Sequence, residues 1–180
     1  MSEEAKVQFA QLAVQYYVAG RYAAIAQLIP VLGNLLHHAI EMSLKAALAE
    51  HMTLKELKNI GHDLTKVWVR FKSFYPAAPA TQFDDAITAL HRFEDLRYPD
   101  SVLAKGAQME LVLFREHVGT PPQTSAPTVP RYALVLEEID DLQAFIFATT
   151  NLNPRFFVGS MGTEGTRLLL IHNRSAKVWQ

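Results

Sequence analysis

The chain has 180 residues, 49% of them hydrophobic and 19% charged, with a net charge of −1, the balance of one ordinary domain that buries roughly 70% of its unfolded surface. No apolar run approaches the ~20 residues that span a bilayer, and the acidic opening "MSEEAKVQFA" lacks the order of a secretory signal, so a soluble, cytoplasmic protein without a membrane partner is expected. The absence of cysteine excludes disulfides and thiolate metal sites, and a net charge this close to zero supplies no global field for nucleic acid.

Residues 3 to 28 place apolar side chains three and four apart among good helix formers, which predicts a first helix, bent at Gly20 and ended before Pro30. A second is predicted from 31 to about 50. "TLKELKNIGHD" breaks the pattern, and "HDLTKVWVRFKSFY" resumes it as a third helix, with Gly61 at a helix end and Asp63 or His62 at the new N-terminus. "PAAP" at 76 to 79 stops that helix. A fourth runs from Thr81 to Arg97 with Phe83, Ala86, Ile87, Leu90 and Phe93 on one face, and "YPD" ends it.

The last third is less regular. "QMELVLFREH", 108 to 117, fits a strand as well as a helical turn, and the proline-rich "GTPPQTSAPTVP", 119 to 130, reads as a loop. A fifth helix is predicted from about Arg131 to Thr149. After it, "RFFV" and "RLLLI" flank the glycine-rich "GSMGTEG", which predicts a β-hairpin. The fold class expected is therefore all-α: an antiparallel four- to five-helix bundle over 1–118, a loop over 119–130, and a C-terminal helix and hairpin over 131–180 packed on the bundle as part of one domain.

"LLHHAIEMSLKAAL", 35 to 48, sets polar groups into the most apolar helix. At 100° per residue Val31, Leu32, Leu35, Leu36, Ala39, Met42, Ala46 and Ala47 share one arc, while His37, His38, Glu41 and Lys45 cluster on the rest, interleaved with Ile40, Leu44 and Leu48. The helix is thus covered nearly all round. A half-buried Glu41 must find cations or lose several kcal/mol, and the candidates are Lys45, His37 or His38, His62 with Asp63, and Arg97, which the fourth helix aims inward. The expected constellation is Glu41, Lys45, His62, Asp63 and Arg97, with His38 beside it.

The ordered trio of E-x3-K in "HHAIEMSLKAAL", then "GHDLTKVW", then "RYPD" resembles the HEPN superfamily over about residues 5 to 100. The resemblance implies an antiparallel four- or five-helix bundle, often dimeric. It leaves function divided between metal-independent endoribonucleases and noncatalytic partners of nucleotidyltransferases, because fold alone does not settle activity.

Ribonuclease members carry an R-x4–6-H motif, in which arginine stabilises phosphate charge and histidine moves the proton. Arg21, Arg70, Arg92 and Arg97 have no histidine at that spacing. The formal match "RLLLIH", Arg167 to His172, lies outside the region of resemblance and reads as a strand. Metal binding by the histidine pair and Glu41 conflicts with the Glu-x-x-His order of bundle carboxylate sites, since the chain reads His38-Ala-Ile-Glu41. "GSMGTEG" lacks the lysine of a P-loop, and Tyr16, Tyr17 and Tyr22 suit a core or a dimer interface as well as base stacking. The expectation is a noncatalytic interaction protein without cofactor or metal, a homodimer that binds a nucleotide, RNA or a nucleotidyltransferase-like partner. The alternative is a divergent endoribonuclease using His62 and Arg97, or Arg167 and His172 across a dimer.

Overall fold

The computed structural model describes residues 3–119, 129–150 and 152–180; most of the predicted 119–130 loop lies outside them. The described residues are predominantly helical, and no helix among them is long and apolar enough to cross a membrane.

Helix α1, Glu3–Ile25, and α2, Val31–Leu48, form the centre of the molecule. They run antiparallel: Lys6 at the start of α1 pairs with Glu50 just beyond α2, while Gly20 meets Leu36. Gly20 does not interrupt α1. It lies in the buried stripe Ala10, Ala13, Val14, Tyr17, Gly20, Arg21 and Ala24, and a β-carbon there would stand 2.6 Å from Leu36 Cδ2, so the missing side chain sets how closely the two helices approach. Of the predicted arc Leu32, Leu36, Ala39, Ala46 and Ala47 are buried, Leu35 and Met42 are half-buried and Val31, in the first turn, is exposed; with Ile40, Leu44 and Leu48 buried as well, α2 is covered nearly all round, as its sequence indicates.

The break at "TLKELKNIGHD" is itself a short helix, α3, Leu54–Ile60, started by a reciprocal capping box between Thr53 and Glu56. Gly61, at φ +71°, ends it, a conformation that costs a residue with a side chain about 1 kcal/mol or more. Helix α4, Leu64–Phe74, then starts at Asp63, whose carboxylate accepts from the Lys66 amide at 3.1 Å. Its Trp68 and Phe71 stack at 5.3 Å and meet Phe145 edge-on.

The predicted fourth helix is three pieces. Helix α5, Asp84–Arg92, is preceded by a 3-10 turn at Ala80–Phe83 and followed by another at Phe93–Leu96. "YPD" ends this run as expected, with Tyr98 extended at φ −118° and ψ 138°, and also starts a further helix, α6, Pro99–Lys105, at whose first position the missing N–H of proline is unneeded.

The β structure also differs from expectation. Strand β1, Gln108–Val112, and β2, Arg131–Val135, pair in parallel with Gln108 opposite Arg131. The predicted fifth helix therefore starts late, as α7, Leu136–Thr150. The reason is legible in "RYALV": Tyr132 and Leu134 are buried and Ala133 is exposed, the period of a strand.

The predicted C-terminal hairpin is absent; α8, Arg155–Val158, and α9, Thr163–Leu170, replace it. Short apolar runs do not separate strand from helix by periodicity. Here Phe157 and Leu169 are buried while Phe156 and Arg167 point out, and a helix satisfies its backbone without the open edges of a two-stranded ribbon. The C-terminal segment packs on the bundle through Trp179, stacked on Tyr17 at 5.2 Å and edge-on to Phe147.

Candidate functional site

Glu41 is completely buried at the middle of α2. Its Oε1 accepts from Lys45 Nζ at 2.6 Å, one helical turn on. The same ammonium donates to the Gly61 carbonyl at 2.8 Å, so the turn that needs glycine delivers the second acceptor. His62 comes next in the loop, its Nδ1 lying 3.0 Å from Glu41 Oε1 and 3.2 Å from Oε2. His38 Nδ1, one turn back on α2, lies 3.2 Å from Oε2.

Four of the expected residues therefore meet: His38, Glu41, Lys45 and His62. Burial alone pushes a carboxyl up, but the bonds from His38, Lys45 and His62 outweigh it and hold Glu41 at about 2. The cluster is sealed on the bundle side and open on the other, because the His62 side chain is 66% exposed.

His37 points into the core. Its Nδ1 lies 3.3 Å from the Leu90 carbonyl and its Nε2 3.2 Å from that of His62. A neutral ring has one N–H and can bond only one of them, and burial, the largest influence, lowers its pKa. With its N–H on Nε2 this ring braces, through the His62 carbonyl, the same loop that carries the exposed imidazole.

Two expected members lie elsewhere. Asp63 caps α4 and accepts from Thr65 Oγ1 at 2.6 Å, the leading cause of its lowered pKa. Arg97 is not aimed inward: it is about half exposed, 3.8 Å from Glu94 Oε2 and 5.9 Å above the Tyr98 ring. The 3-10 turn at Phe93–Leu96 explains this, since each of its residues turns ~120° instead of ~100° and rotates the next residues of the chain out of the α-helical register. Arg167 pairs with Glu164 at 2.8 Å on the surface of α9, and His172, at φ +53°, stands edge-on to Phe114.

A second polar network went unread in the sequence. Arg21 is fully buried and paired with Asp140 of α7, which also accepts from the Tyr17 hydroxyl at 2.5 Å. Arg21 further donates Nε to the Leu168 carbonyl at 2.7 Å and Nη2 to that of Ile171, and thereby caps the end of α9. Nearby, Gln143 Nε2 donates to Ser43 Oγ at 2.6 Å. The signal was present: the buried residues of α7 include Leu136, Ile139, Asp140, Gln143, Ile146, Phe147 and Thr150, so an acid lies in one apolar stripe and an arginine in another.

A shallow groove of about 670 Å³ opens between α3 and α4, lined by Met52, Ile60, Val69, Glu56, Lys66 and Arg70 among others. Between His51 and Tyr75 the chain carries Lys55, Lys58, Lys66, Arg70 and Lys72 against Glu56 and Asp63; Lys66 pairs with Asp63 at 3.0 Å and Lys72 with Asp84 at 2.7 Å, which leaves Lys55, Lys58 and Arg70 as the basic excess of this stretch. No protein-family model, no curated protein and no solved structure matches this chain.

Proposed function

We propose that the protein is a HEPN-like, noncatalytic interaction protein whose α3–α4 groove takes a phosphate-bearing ligand of the nucleotide or RNA class. One observation carries this reading: of the residues best suited to acid–base work, Glu41 is buried and His38 and His62, together with Lys45, are all hydrogen-bonded to its carboxylate. Arg97 and Arg167, the arginines a ribonuclease would turn on phosphate, each pair with a glutamate three residues earlier.

The groove supplies the binding half. Lys66 and Arg70 are exposed beside Val69, which suits phosphate at the rim and a base against the apolar floor. Leu12 and Tyr16 stand one turn apart and exposed on α1, where a homodimer would cover them.

The test is a fluorescence-anisotropy titration with a labelled single-stranded RNA, run beside a metal-free cleavage assay of the same RNA. The expected result is salt-sensitive binding, weakened at least tenfold in Lys66→Glu/Arg70→Glu, and intact RNA after incubation. Cleavage lost in His62→Ala or Arg97→Ala would replace this reading with the ribonuclease one.

A further inference from the structure

The trio His38, Glu41 and His62 has the composition and spacing of a metal site. Their ligand atoms all lie within 4.8 Å of one another. Glu41 Oε2 is 3.2 Å from both His38 Nδ1 and His62 Nδ1. Two ligand atoms bound at ~2.0–2.1 Å to a tetrahedral ion stand about 3.3 Å apart, so these two edges already have the required length. From this geometry we propose that His38, Glu41 and His62 bind one Zn²⁺ per chain, with a fourth position open to water on the His62 side.

The chemistry of the set selects the ion. Two imidazoles and one carboxylate suit a borderline divalent ion and not Mg²⁺ or Ca²⁺, which take oxygen ligands. The reversed order, His-x-x-Glu, counts against a dinuclear carboxylate centre of the bundle type. It does not bear on a mononuclear site, which draws two ligands from one helical turn of α2 and the third from a loop.

Supporting groups are already in place around these ligands. Lys45 donates to Glu41 Oε1 and leaves Oε2 to the ion, the outer hydrogen bond that a ligating carboxylate commonly has. Gly61 anchors Lys45, and His37 lies against the His62 carbonyl. Lys45 also makes the ion-free site stable, since it neutralises Glu41 before any metal enters. Zinc would fasten the α3–α4 loop to α2, beside the groove to which Ile60, Thr65 and Lys66 contribute. This inference stands independently of what the groove binds, and the noncatalytic reading above applies to the ion-free cluster, since a zinc with an open water position is the arrangement of a catalytic ion.

The test uses tag-free full-length protein, treated with chelator and titrated with Zn²⁺ by calorimetry and with Co²⁺ by visible absorption. Expected are one ion per chain, intense Co²⁺ bands of a four-coordinate site, and a rise in Tm with added Zn²⁺. His62→Ala, at an exposed position, should weaken binding at least tenfold while the far-ultraviolet circular dichroism stays unchanged, and His38→Ala should do the same. Absence of binding by wild-type protein overturns the proposal. So does binding that His62→Ala and His38→Ala both leave intact, because the ion would then sit on other surface histidines. Glu41→Gln is informative only if it folds, so the two histidine variants decide the question.

Discussion

Glu41 and Asp140 are both buried carboxylates on core helices, and they are treated in opposite ways. Glu41 faces a lysine from its own helix and two imidazoles, and its donors outweigh burial, so its pKa falls to about 2. Asp140 faces Arg21 and Tyr17 deep between α1 and α7, yet burial is the stronger influence and lifts its pKa. The same burial and the aspartate's charge push the Tyr17 hydroxyl well above its usual range. One network is half open and assembled around a loop; the other is closed and assembled between helices. A group that water reaches is free to exchange partners, whereas a sealed pair holds elements together and is costly to break.

The largest expected effect comes from breaking the sealed pair. Asp140→Ala leaves Arg21 charged, fully buried and short of its acid, and should destabilise the fold by about 3–5 kcal/mol, measured by urea unfolding. A change below about 1 kcal/mol would mean that the carbonyls of Leu168 and Ile171 satisfy Arg21 alone.

Acid should separate the two regions next. Because Glu41 has a folded-state pKa below its ordinary 4.5, its contribution is present above that pH and is lost as pH falls towards about 2. The shift corresponds to about 3 kcal/mol at most. His37, lowered by burial, acts in the same direction from below pH ~6.5. Asp140 has the opposite sign: a raised folded-state pKa contributes stability at low pH and loses it as pH rises. Hydrogen-exchange protection factors, corrected for the slower intrinsic exchange in acid, should therefore fall first in the 59–64 loop as pH drops from ~6.5 to about 3, with α7 still protected. Simultaneous loss of protection in both would erase the distinction.

A smaller effect is expected at Asn173, which donates to the Leu169 carbonyl at 2.8 Å and to the Tyr17 hydroxyl at 3.3 Å. Asn173→Ala should cost about 1–2 kcal/mol, again read by urea unfolding. The smallest belongs to the open side. His62→Ala removes a mostly exposed ring from a carboxylate that keeps Lys45, and should change metal-free stability by less than about 1 kcal/mol. A loss comparable to that of Asp140→Ala would show that the loop imidazole is a structural keystone.

Much of the open site is legible in the sequence. A carboxylate in the most apolar helix demands partners, and Lys45 and His38 lie one turn away on the same helix. His62 is within reach because Gly61 and Asp63 mark a helix end and a helix start around it. Arg97 is misplaced by a rotation that runs α5 unbroken to its end. A 3-10 turn that keeps Phe93 and Leu96 buried leaves no trace in an apolar count. The sealed network needs a different reading, in which opposite charges in the apolar stripes of two helices are matched to each other.

By itself the sequence determined the helical class, the register and near-complete burial of α2, the Asp63 cap and the need of Glu41 for cations, because each stems from periodicity or from local hydrogen bonding. Only the tertiary structure decided the parallel pairing of β1 with β2, the helical state of 155–158 and 163–170, and the union of Arg21 with Asp140. Those outcomes rest on contacts between residues 23 to 150 positions apart, and for short apolar segments such contacts outweigh any preference the chain has locally.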